Sequence, residues 1–339
     1  LRSRVRELME ATSSRERLEG ELSAATEIQM GFLPKPLPPD VAAGRFSLAA
    51  SLVPAREVGG DLYDFFMLDD RHLCFIIGDV SDKGVPASLF MSMTLTLIRS
   101  RAGSHPSPEH LMAEVNENLA RDNAKCMFVT LFIGVLDLDT GELLYANGGH
   151  NPPLRLGDDG VAWLEGISGP VVGAMEGMNY TLLRTVVRPG ETLFLYTDGV
   201  NEAMNAEGDV YSNEAMFRAL ASSPSREPAS VLRHMLDDVS VHVNGNTASD
   251  DMTILCVRYF VGKRWRSFTA GDGREQTGPH DKLVHKVKEC HLSRVQSMGD
   301  GEKGTLWTSL FCHFFQNFHQ GHNGKAPLLL CKECPDNIS

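Results

Sequence analysis

Two links in this chain are too short to be anything but turns. The run 127–137 reaches the run 142–147 through "DLDTGE", and 181–187 reaches 191–197 through "RPGE". A parallel pair needs a crossover of a dozen or more residues, so strands joined this tightly are expected to form antiparallel hairpins. Further β-rich runs bounded by Gly and Asp lie at 46–53, 62–68, 73–78 and 252–259, and helical patterns fill 86–102, 108–121, 213–222 and 227–243. Runs of strands with helices in separate blocks predict an α+β fold, a β-sandwich of antiparallel sheets flanked by helices, and not a doubly wound parallel sheet. With 339 residues, 42% of them hydrophobic, the chain can bury one large core and has segments to spare.

Those segments flank the β-rich region. Residues 1–29 lack Pro and place Val5, Leu8, Leu18, Leu22, Ala25 and Ile28 at helical spacing, which predicts an amphipathic helix. Thr12 and Arg15 interrupt the seam, leaving two readings: a short imperfect coiled coil that makes a homodimer, or a lone surface helix. "FLPKPLPP" at 32–39 stops the helix, because Pro donates no backbone hydrogen bond and disfavours helix in the residue before it. Residues 261–339 hold four of the seven Cys and six of the twelve His with little periodicity. "CKEC" at 331–334, with Cys290 and Cys312, lacks the second CxxC of a zinc finger, so a disordered or non-native tail is expected there. Three regions follow: a helical linker at 1–30, a folded domain at 31–260 and an unassigned tail at 261–339.

The net charge of −12 argues against a nucleic-acid partner. Scattered cysteines fit a reducing, cytoplasmic setting, and no apolar run reaches the roughly 18 residues of a membrane span. Leu1 stands where an initiator Met would, and the chain is read as a fragment of something longer.

The chemistry is carried by acids at strand ends. Asp79 follows "LCFIIG", Asp198 follows "TLFLYT", Asp250 and Asp251 open "MTILCV", and Asp61 follows two glycines ahead of another strand. One Asp beside a Gly is usually a turn former. Several acids at sheet ends can instead converge, and converging carboxylates repel unless a cation lies between them. Hard divalent ions, Mg²⁺ or Mn²⁺, suit oxygen ligands, and flanking glycines let a backbone carbonyl join them. Two such ions would polarise a phosphoryl oxygen, which is the chemistry of a phosphoester hydrolase.

Six segments then occur in order: "EIQMGFLP", "EVGGDLYDFF", "IIGDVSDKGVPASLFM", "MFVTLFIGVLDLDTGELLYANGGHNPP", "LFLYTDGVNEA" and "SDDMTILCV". Together they resemble the bacterial branch of the metal-dependent PP2C phosphatases, the SpoIIE and RsbU type. The resemblance implies an αββα sandwich with two Mn²⁺ or Mg²⁺ ions at one end, acting on phosphoserine or phosphothreonine in proteins. It implies that Asp61 bridges both ions, that Asp79 binds one of them with the backbone carbonyl of Val80, and that Asp198 and Asp250 hold the other side. Asp251, on the opposite face of its strand, is read as an acid that supports the ligands from behind. Eukaryotic relatives carry a His two residues after the acid matching Asp79, where it is proposed to protonate the leaving group. Ser81 stands there in this chain, so no side-chain acid or base is assigned and a metal-bound water is expected to supply the proton.

Three tempting residues are read as structural or solvated. His150 in "NGGHNPP" is expected to serve the fold, Lys83 to be a solvated side chain that could also attract phosphate, and "DLDTGE" to be a hairpin turn without the closing Glu of a calcium loop. The resemblance further implies a phosphorylated STAS-domain anti-sigma-factor antagonist as substrate. The stretch "SRERLEGELSAATEIQ" resembles helices that follow the HAMP segment of a membrane receptor. Its rotation or register would set whether helices 86–102 and 108–121 hold the acids productively. Against the enzyme stands a second reading, a non-catalytic phosphoprotein-binding or dimeric signalling module on the same fold.

Overall fold

The computed structural model describes residues 2–261 apart from 36, 38, 43 and 104–106. The tail assignments, including the CKEC cysteines, lie outside the described residues. Helix α1 (Arg2–Phe32) ends where the Pro-rich segment begins, and a single turn, α2 (Pro39–Ala42), follows. Then come β1 (Phe46–Val53), β2 (Leu62–Met67), β3 (His72–Val80), α3 (Val85–Arg101), α4 (Pro108–Ala120), β4 (Val129–Asp137) and β5 (Glu142–Gly148). The second half adds β6 (Leu154–Gly157), β7 (Gly160–Trp163), β8 (Leu183–Val186), β9 (Thr192–Tyr196), α5 (Asp198–Asn201), α6 (Asn213–Ser222), α7 (Pro228–Val243) and β10 (Met252–Tyr259).

Two five-stranded sheets form, in the orders β1-β10-β9-β6-β7 and β2-β3-β4-β5-β8, and their strand pairs are antiparallel. The expected sandwich is therefore present. Its layers follow from the period of two along each strand. In β3, Leu73, Phe75 and Ile77 face the other sheet, where Leu193, Leu195, Leu255 and Val257 meet them, with Phe132 of the neighbouring β4 beside them. The alternate residues Cys74, Ile76 and Val80 face α3 and α4 through Met91, Leu95, Met112 and Val115. Both faces of β3 are covered, which is why "LCFII" runs unbroken rather than alternating. A third core, around Phe194, Tyr196, Met216 and Met235, joins the outer face of the other sheet to α6 and α7.

Two expectations need correction, and one hairpin carries no expectation at all. "RPGE" does not close a hairpin: β8 pairs with β5, whereas β9 pairs with β10 and β6, so the link passes from one sheet to the other. β8 is a partly exposed edge strand and β9 is buried along its whole length, so the two belong in different environments however short their connection. Asp79 does not end its strand. β3 runs through Val80, with Asp79 opposite Thr130, and Ser81 prolongs the contact through its N–H to the Phe128 carbonyl at 2.8 Å. The β6–β7 hairpin was not anticipated; its strands are four residues each, too short for a periodic signal, and only the "DDG" at its turn marks it.

Candidate metal centre

Strand alternation decides which side chains reach the end of the sandwich. Asp79 shares the face of Phe75 and Ile77 and so points into the gap between the sheets. Asp61 immediately precedes β2 and is 1% exposed. Its Oδ2 accepts hydrogen bonds from Thr197 Oγ1 at 2.8 Å and Thr253 Oγ1 at 2.6 Å, hydroxyls carried by the opposite sheet. Those two threonines also pair with each other, Thr253 N–H donating to Thr197 Oγ1 at 2.9 Å. Asp61 thereby clamps the two sheets at their open end. Sequence reasoning missed both threonines, which sit among apolar strand residues and look like ordinary β-formers.

The acids press on one another. Burial raises the Asp61 carboxyl well above its ordinary value, and the neighbouring Asp79 raises it further. Asp79 is pushed up to about 7, first by burial and then by the charges of Asp198 and Asp250, while the adjacent Asp61 carboxyl lowers it. Asp198, the first residue of α5, is raised by burial and by Asp250. Asp250 is paired with Lys83, whose Nζ lies 2.7 Å from Oδ2. Four of the anticipated acids are thus electrostatic neighbours. Among the described residues no three acidic, His or Cys side chains close on one point.

Asp251 faces elsewhere. Its Oδ1 accepts from Ala55 N–H and its Oδ2 from Gly60 N–H, each at 2.8 Å, so it fastens the loop that delivers Asp61. Gly59 has to be glycine here, because a Cβ would stand 2.0 Å from Asp251 Oδ2. At Gly60 a Cβ would come 3.0 Å from the Val80 carbonyl oxygen, so this glycine brings the Asp61 loop up to that oxygen.

Around this nucleus, three other residues resolve. Ser81 Oγ accepts the Phe128 N–H at 2.9 Å, which makes it part of the β3–β4 pairing. His150 is 4% exposed; its Nδ1 is 2.9 Å from Thr130 Oγ1, and that hydroxyl lies 3.3 Å from the Asp79 carbonyl. Burial lowers the His150 pKa to about 4, so the ring is neutral at pH 7. A buried neutral ring tied to the strand that carries Asp79 fits the fold role expected for it. Asp64, fully buried, holds Arg99 of α3 by two bonds of 2.5 and 2.9 Å, fixing that helix to β2; no sequence signal singled it out.

Helix α1 also reaches the centre. Gln29, 7% exposed, donates from Nε2 to the Gly59 carbonyl at 2.6 Å and accepts the Gly59 N–H on Oε1 at 3.2 Å. Three residues earlier, Thr26 Oγ1 lies 2.5 Å from the Glu57 carbonyl. The helix therefore grips the Asp61 loop from outside, as Asp251 does from within.

The donor set suits a hard divalent cation: carboxylate oxygens and a carbonyl that glycine makes approachable. Buried carboxylates crowded without matching positive charge are costly, and a bound cation would relieve that cost.

Residues 69–260 match the family described as Stage II sporulation protein E (SpoIIE), and the chain belongs to that family. It is 30% identical over 264 residues to Protein IcfG of Synechocystis sp., covering 70% of this chain and 41% of that protein. It is 28% identical over 194 residues to Phosphoserine phosphatase RsbU of Bacillus subtilis, covering 56% of each. The chain thus spans about half the length of these curated relatives. The SiaA-PP2C domain of Pseudomonas aeruginosa superposes with a TM-score of 0.62 at 18% identity, covering 73% of this chain and 98% of that domain, a likeness of fold. The sandwich is accordingly the PP2C fold. Among the described residues no helix is long and apolar enough to cross a membrane.

Proposed function

We propose that this chain is a metal-dependent protein phosphatase that hydrolyses phosphoserine or phosphothreonine in a protein substrate. The observation that carries the reading is the crowding of Asp61, Asp79, Asp198 and Asp250 at one end of a PP2C sandwich, where burial and the neighbouring acids raise the carboxyl pKa values of Asp61, Asp79 and Asp198. Asp61, Asp79 with the Val80 carbonyl, Asp198 and Asp250 would hold two Mn²⁺ or Mg²⁺ ions. When bound, such ions supply Lewis acidity toward a phosphoryl oxygen and activate water. The chain's own part is positional. Thr197 and Thr253 fix the Asp61 carboxylate, Asp251 and Gly60 set the depth of its loop, and the two sheets shield the inner side of the gap from solvent. No side chain is assigned as general acid, since Ser81 is engaged with the Phe128 N–H.

The substrate proposed is a phosphorylated STAS-domain anti-sigma-factor antagonist, supported by the relative named as a phosphoserine phosphatase and by the resemblance of the six motifs. We assign residues 1–30 to a helical, dimerising linker, 31–260 to the phosphatase domain and 261–339 to a tail of no assigned role. The setting proposed is cytoplasmic, with a membrane sensor upstream. The deciding experiment is hydrolysis of a chromogenic phosphoester and of a phosphorylated STAS protein with Mn²⁺. Activity is expected in the wild type and lost in Asp79→Asn and in chelator; a well-folded chain with no metal-dependent turnover of either would leave the non-catalytic binding module as the reading.

A further inference from the structure

Lys83 is exposed, as expected, but its ammonium is held against the acids rather than free in solvent. The loop that follows β3 turns through Asp82 (φ 76°) and Gly84 (φ 76°), and this double reversal brings Lys83 back over the acids. Its Nζ sits 2.7 Å from Asp250 Oδ2 and donates to the Ser249 carbonyl at 2.6 Å. The pair is partly open, the Lys83 side chain being 39% exposed and that of Asp250 35%. Exposed pairs of this kind are weak and exchange partners readily.

A carboxylate can hold an ammonium or contribute fully to a divalent ion, and the two cations repel when both are present at contact distance. Lysine is a compact point charge on a flexible four-carbon stem and is a common phosphate ligand, so an ammonium expelled from Asp250 stays near the gap and remains able to move. We propose that Lys83 is a counter-ion held in reserve: it neutralises Asp250 while the centre lacks a divalent ion, is released when one binds, and then receives the phosphate of the substrate. The proposal rests on Asp250 being a metal ligand, as the proposed function has it. It makes Lys83 a competitor of the metal and a ligand of the phosphate at once, a combination that a surface lysine would not show.

The test is calorimetric titration of Mn²⁺ into the full chain as wild type, Lys83→Met, Lys83→Arg and Asp79→Asn, followed by inhibition of the Mn²⁺-loaded forms by inorganic phosphate. Lys83→Met is expected to bind Mn²⁺ about two- to fivefold more tightly than wild type, the scale of a partly exposed ion pair. The same variant is expected to bind inorganic phosphate roughly tenfold more weakly, the scale of one charge-assisted bond. Lys83→Arg keeps the charge and should stay close to wild type in both. Unchanged or weaker Mn²⁺ binding in Lys83→Met, or unchanged phosphate inhibition, overturns the proposal even if the wild type binds Mn²⁺ well. If wild type and Asp79→Asn alike take up no Mn²⁺, the metal centre itself is wrong and the role of Lys83 falls with it.

Discussion

The Asp251 carboxylate accepts the backbone N–H of Gly60 from 191 residues away in the chain, and its second oxygen takes the N–H of Ala55. One side chain at the mouth of β10 therefore fixes the whole approach to Asp61. Asp251→Ala strands two donors, each worth about 1–3 kcal/mol if left unsatisfied and buried. The expected result is a large drop in urea stability together with Mn²⁺ binding weakened more than tenfold. Gly59→Ala should do similar damage from the other side, since its Cβ would occupy the space of Asp251 Oδ2. Wild-type Mn²⁺ affinity in both variants would show that the loop does not need this clasp.

Thr253 and Thr197 share one acceptor, Asp61 Oδ2. Valine is nearly the same shape, so Thr253→Val removes a hydroxyl with little cavity. A hydrogen bond to a carboxylate contributes about 1.5–3 kcal/mol. Mn²⁺ affinity is expected to fall roughly tenfold in either single variant and by less than the product of the two in the double, because both act on one oxygen. A fully multiplicative double mutant would mean that the hydroxyls act independently of Asp61.

What could be read from the sequence follows the reach of local rules. Strands such as 73–78 and 252–259 announce themselves because a pleated strand buried by two layers has to be apolar for several residues, with β-branched side chains among them. The acids were legible because Asp is costly beside such runs and so stands out. Their keepers were not: Thr197, Thr253 and Gln29 are unremarkable in composition, and their partners lie 136, 192 and 30 residues away. The sheet membership of β8 and β9 was misjudged for the same reason, since a four-residue link says that two strands are close and not which neighbours each prefers.

His150 gives folding a pH dependence with a definite sign. Burial depresses its pKa from 6.5 to about 4, so between those values the unfolded chain binds a proton that the folded chain refuses. This contribution is fully present above pH 6.5 and is lost as pH falls toward 4. Compared with His150→Gln, the wild type should lose about 1–2 kcal/mol more stability between pH 7 and pH 5, at up to about 1.4 kcal/mol per unit. Urea unfolding of both proteins at the two pH values in chelator measures the difference. Parallel pH dependences would mean that the ring titrates normally in the fold.

Gln29 offers the most direct path from the helical linker to the centre. Its amide is matched to the Gly59 peptide as donor and acceptor at once, and Gly59 is the residue that has no room to move against Asp251. A rotation of α1 by even part of a turn would break both bonds and leave the Gly59 peptide without its partner, loosening the loop that aims Asp61. Gln29→Ala should therefore weaken Mn²⁺ binding severalfold, while a helix that no longer grips the loop can no longer transmit its own state. Deleting residues 1–29 should reproduce that loss of affinity and also change the oligomeric state seen by light scattering. The informative comparison is between the two: if the deletion alters association but Gln29→Ala leaves Mn²⁺ affinity untouched, the linker controls assembly without controlling the centre. If both lower the affinity by the same factor, the hydrogen-bonded pair accounts for the whole coupling, because everything else in the deleted helix has then been shown to add nothing.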